Sequence, residues 1–122
     1  MAGLQTEKEE IINSEFSKFI RKSLDYIDMS MGGVEEKFSK KKVFKSSFQN
    51  IVYEELRNRM LTLDGKKINK LAKEMVVDCM VGVKELCDIA YSENPILSSK
   101  IAGKIEVAAN EFVSDVLKAI AE

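Results

Sequence analysis

Residues 68–90 read INKLAKEMVVDCMVGVKELCDIA. Apolar side chains recur there at Ile68, Leu71/Ala72, Met75, Cys79, Gly82/Val83, Leu86 and Ile89/Ala90. Steps of three and four are the period of an α-helix with one buried face; a strand would alternate at two. Gly82 inside this run costs about 1 kcal/mol relative to alanine in a helix. Its simplest use is to let another helix approach closely.

Working outward, turn signals bracket this segment. Asp64-Gly65 precedes it and Asn94-Pro95 follows it. Asn94 suits an N-cap and Pro95 the first helical position of a further helix. That helix carries the stripe Leu97, Ile101, Ile105, Ala108/Ala109, Phe112, Val116 and Ile120. Towards the N-terminus, Gly32-Gly33 marks another turn. Before it, Ile12, Phe16, Phe19/Ile20, Leu24 and Ile27 form one apolar stripe. Thr6-Glu7-Lys8-Glu9 has the form of a capping box, which would start this first helix at Thr6.

The segment after Gly33 is less regular. Val34 to Phe38 can open a helix, and Ser39-Lys40-Lys41-Lys42 then interrupts the stripe. Periodicity resumes at Val43/Phe44, Phe48, Ile51/Val52, Leu56, Met60 and Leu63. The expectation is a short helix, a kink at the lysines, and a longer helix to about Leu61.

Four main helices joined by short turns predict an all-α fold. The leading architecture is an antiparallel up-down bundle, with an extra short helix or completion by self-association as variants. With 122 residues, 45% of them hydrophobic, one domain spanning residues 1–122 is expected. No apolar run approaches the ~18–20 residues of a membrane span. The N-terminus shows no secretory or transit pattern, so a cytoplasmic location is expected.

Cys79 and Cys87 lie on one expected helix, about 12 Å apart at its rise per residue. A disulfide requires Cα atoms within about 7 Å, so the pair reads as buried free thiols. The chain has no histidine, which removes Ser-His-Asp and Cys-His nucleophile systems and the usual zinc sites. It has neither a Walker A loop nor a GxGxxG stretch. The acidic pairs Glu7/Glu10 and Glu85/Asp88 have helical i,i+3 spacing but lie far apart in sequence, and solvated faces are their expected setting. No catalytic residue, metal ligand, cofactor or small-molecule substrate is indicated.

Charge is uneven. Residues 35–73 hold eleven lysines and arginines against five acids, whereas residues 74–122 hold four against nine. Lys66 and Lys67 fall near the start of a helix, where its dipole disfavours cations by about 0.3–1 kcal/mol each. Helix stability alone would not select them. Lys37, Lys40, Lys41, Lys42, Lys45, Lys66, Lys67 and Lys70 are therefore the candidate contacts to an anionic partner, although intramolecular or solvated roles are the commoner explanation of such a stretch. Phe38, Phe44 and Tyr53 accompany them, but aromatics on a helical stripe usually serve the core. Residues 68–86 contain no internal turn that would make a helix-turn-helix.

Two functions remain. The leading one is a non-enzymatic helical interaction protein (an adaptor, inhibitor or regulatory subunit) that binds protein or itself. Its candidate anchors are Tyr26, Met29 and Met31 near the Gly32-Gly33 turn, with Gly82 and Gly103 as points of close approach. The alternative is a nucleic-acid-associated subunit that contacts phosphates through residues 35–73.

Overall fold

The computed structural model describes residues 2–31, 35–63 and 65–121, with side chains placed for all of these except 2–6, 35–39, 65, 66, 69 and 121. Its elements are α1 (Ala2–Met31), α2 (Glu35–Val52), a π-helical segment (Tyr53–Asn58), α3 (Arg59–Thr62), α4 (Gly65–Ala90) and α5 (Pro95–Ala121). No strand occurs among the described residues. α1 packs on α2 and α5, and α4 packs on α2 and α5, while among the described residues the backbones of the diagonal pairs α1·α4 and α2·α5 stay further apart. The chain therefore forms a square, up-down four-helix bundle, as the helical period and short turns predict.

The buried face of each helix supplies one wall of a shared core. Phe16 and Phe19 of α1, Phe48 of α2 and Phe112 of α5 meet at its centre, with Phe19 stacked on Phe112 at 5.8 Å between ring centroids. Such pairs add about 0.5–1.5 kcal/mol beyond the area they bury. Met75, Cys79, Met80, Val83 and Cys87 form the α4 wall, and Ile105, Ala108, Ala109 and Val116 the α5 wall.

The lysine run does not break the second helix, and the kink expected at Lys40–Lys42 is absent. α2 continues through it and, by way of the π segment and α3, runs to Thr62. The irregularity falls thirteen residues later for a reason written in the spacing. Phe44, Phe48, Val52, Leu56 and Met60 are all at most 2% exposed and all four residues apart. In an α-helix four residues turn 400°, so a spacing-four row drifts about 40° per step and leaves the core. The wider i→i+5 turn of a π segment removes that drift. It lies over Leu56 and returns Met60 to the core.

Two helix starts can be compared with expectation. Asn94 caps α5: its Oδ1 accepts from the Leu97 amide at 3.1 Å, and its carbonyl accepts from the Ser98 amide at 3.0 Å. Thr6, by contrast, is not an N-cap, because α1 begins at Ala2 and runs through it. The expected turn at Gly32-Gly33 and the turn residue Asp64 lie outside the described residues.

Candidate functional site

α2 and α4 pack antiparallel. The register is set where Ile51 lies over Gly82: a methyl built on Gly82 would meet the Ile51 side chain at 3.4 Å. The close approach expected at Gly82 is thus made, by α2. Towards the other end of α4 the two helices diverge around Phe44 and open an apolar groove of about 340 Å³. Lys40, Val43 and Phe44 line it from α2, and Leu86, Ile89 and Ala90 from α4. Phe44 forms the buried floor and packs edge-on against Tyr91 at 5.9 Å. Val43 and Ile89 stand on the rim, 66% and 75% exposed. The sequence pattern placed both on core stripes; the bundle buries only their neighbour Phe44 and half-buries Ala90.

The outward face of α4 extends this apolar surface. Val77 and Val81 are 64% and 58% exposed, and with Glu85 and Ile89 they form a row at spacing four. Such a row is an i±4 ridge, the feature that helices most often use to pack on one another. A volume near 340 Å³ matches the smallest ligand pockets. Among the described residues Lys40 is the only charged or polar side chain that lines the groove, and a single lysine does little to orient a polar substrate. An apolar surface from another protein is the better fit.

The candidate anion contacts do not gather into one patch. Lys41 and Lys45 reach back to Asp28 of α1, at 3.4 and 2.5 Å, and are partly buried. This network, led by the hydrogen bond from Lys45, holds the Asp28 carboxyl below its ordinary range against the opposing effect of burial. Both lysines therefore lash α2 to α1. Lys42 lies on the exposed outer face of α2, where it shares a shallow polar groove with Lys45, Ser46, Gln49, Asn50 and Tyr53. Lys40 stands beside Ala90, whereas the exposed Lys67 and Lys70 sit at the opposite end of α4, about 30 Å back along the helix. The side chains of Lys37 and Lys66 lie outside the described residues.

The proposed protein anchors divide. Met29 is 84% exposed, as expected of an anchor. Met31 is not available: it is 6% exposed and part of the core. Tyr26 is half-buried with Lys104 over its ring at 5.2 Å, so one face is already used within the chain. Gly103 is exposed, with nothing within 4 Å of an added Cβ, and no helix approaches it.

Other polar groups serve the fold. Asp88 accepts from the Ser98 hydroxyl at 2.8 Å and ties α4 to α5. The Tyr91 and Ser30 hydroxyls bond to each other and close one end of the bundle. Neither Tyr91 nor this bond was signalled by periodicity, since Tyr91 lies just beyond the last helical turn of α4. Arg59 bridges Glu55 and Asp78, joining α3 and the π segment to α4. Burial pushes the Cys79 and Cys87 thiols up to about 12, so both stay neutral and unreactive at ordinary pH. Among the described residues no group of three or more Cys, Asp or Glu could hold a metal ion. Among the described residues no helix is long and apolar enough to cross a membrane.

No family model, curated protein or solved structure matches this chain.

Proposed function

We propose that the chain is a non-enzymatic helical interaction protein that binds protein through the outward face of α2 and α4. The observation that carries this reading is the apolar groove between α2 and α4, with Val43 and Ile89 exposed on its rim. Val77 and Val81 add exposed apolar surface further back along α4, beyond Glu85. Scattered single apolar residues on a surface need no explanation, but an apolar groove with an exposed apolar rim is the form that helix-in-groove recognition takes. The proposal places the protein in the cytoplasm, where free buried thiols such as Cys79 and Cys87 persist in reduced form.

The test compares the tagged chain with its Val81→Glu variant. A protein partner should be retained by the unchanged chain, re-bind when both are purified, and be lost at least tenfold on substitution. Undiminished binding by the variant would refute the assignment of this face.

A phosphate-binding reading draws on the polar groove at Lys42, Gln49, Asn50 and Tyr53. It has weaker support, because Lys41 and Lys45 are engaged with Asp28 and the remaining described lysines lie at opposite ends of α4. Oligonucleotide anisotropy measured against salt separates the two readings. The protein-binding reading expects no binding at physiological ionic strength, and affinity falling steeply with salt would favour phosphate contact.

A further inference from the structure

We infer that the occupant of the α2–α4 face is an amphipathic helix of another protein, with lysine or arginine beside its apolar stripe. The inference rests on the protein-binding reading above and specifies the chemistry of the partner. Glu85 carries it. This exposed carboxylate lies between Ile89, on the rim of the groove, and Val81, one turn further back. A helix that fills the groove and continues to Val81 must cover it. A purely apolar helix would take water from that carboxylate and return nothing, which is costly. A base on the partner offsets the loss. Among the described residues no cation of this chain meets Glu85. Its neighbour Lys84 turns to α5, with Glu106 at 3.7 Å. Lys45 is held by Asp28. Lys40 borders the end of α4, where Glu93 lines the same cavity.

The surroundings of Glu85 have the same sign. At about 100° per residue, Glu74, Asp78, Glu85 and Asp88 share an arc of about 80° on α4, with Val81 inside it. All four acids are exposed, and residues 74–89 hold one lysine against them. Arg59 meets Asp78 at 2.9 Å, and Asp88 accepts from the Ser98 hydroxyl. Glu74 and Glu85 make no ion pair among the described residues. Lys67 and Lys70 lie on the N-terminal side of this stretch, so Val77, Val81 and Ile89 all fall within its acidic part. An acidic partner would meet like charge along the whole contact, whereas a basic flank is complementary to it. From Val77 to Ile89 the contact is about 18 Å long, the span of about twelve residues of partner helix.

The probe is a labelled leucine–lysine peptide of about fourteen residues, with its leucines at helical spacings of three and four. Its fluorescence anisotropy should rise on binding the full chain. A scrambled peptide of the same composition and a leucine–glutamate peptide should each bind at least tenfold more weakly. Glu85→Lys, with an unchanged circular dichroism spectrum, should weaken the lysine peptide at least tenfold, and Glu85→Gln should weaken it less. No binding of the lysine peptide would overturn the inference. So would equal binding of either control peptide, or affinity that Glu85→Lys leaves unchanged. If the lysine peptide fails to bind while Val81→Glu still loses its protein partner, the basic helix falls and the protein-binding reading stands. If Val81→Glu keeps that partner and Glu85→Lys keeps the peptide, both fall.

Discussion

At the scale of single residues, the core leaves a serine hydroxyl unpaired. Ser23 of α1 is fully buried, and its hydroxyl has no hydrogen-bond partner. A buried unsatisfied hydroxyl costs about 1–3 kcal/mol, and serine is a poorer helix former than alanine. Ser23→Ala should therefore raise stability by about 1 kcal/mol in urea denaturation, with an unchanged dependence on urea concentration. Asp28 is the opposite case, a carboxylate with too many partners to be incidental. Because its folded pKa is depressed, it contributes stability above the ordinary carboxylate range, and that contribution is lost as pH falls through its folded value. Asp28→Asn should melt below the unchanged protein at pH 7, and the gap should close on acidification below about pH 4. Thermal melts across pH 2–7 check the sign. Neither role was legible in the sequence, since each depends on which residue of another helix lies opposite. Met31 fails as an anchor for the same reason: its place in α1 is regular, but the side it presents is decided by α1's neighbours.

At the scale of elements, period and turn chemistry carried most of the information. The stripes of α1, α4 and α5, the Asn94 cap and the burial of both cysteines follow from local pattern alone. The second helix was misjudged because a run of lysines resembles an interruption, although their long side chains extend from a helix without disturbing its backbone. The signal that mattered was the unbroken spacing of four from Phe44 to Met60. It implies a distinct response to deletions. Removing the exposed Glu54 takes one residue from the widened turn, lets the segment become α-helical and leaves Leu56 and Met60 inward. Removing Ser46 rotates the helix before it by about 100° against the helix after it and draws Phe44 out of the core. The second deletion should cost about 3–5 kcal/mol more than the first, the order of a lost buried phenylalanine. Comparing their denaturation midpoints checks this. The two internal glycines also separate. Gly103→Ala should stabilise by about 1 kcal/mol, since nothing stands near the added methyl. Gly82→Leu should destabilise, because its side chain must displace Ile51 from the α2–α4 contact.

At the scale of the whole molecule, the fold followed from the sequence while the candidate surface did not. Val43 and Ile89 sit beside core positions, and each widens its stripe by one residue. Periodicity assigns such doubled positions to the core together, and only the crossing of α2 and α4 decides which member remains outside. The charge asymmetry was real in sequence, yet folding turned half of the central lysine cluster inward towards Asp28 and left Lys67 and Lys70 at the far end of α4. What remains on the surface between α2 and α4 is an apolar groove with Val43 and Ile89 on its rim, and Val77 and Val81 lie further along α4. The most direct measurement of that claim is retention of a purified protein partner by the tagged chain, compared with its Val81→Glu variant. Substitution should cost at least tenfold in binding. Undiminished binding would contradict the account.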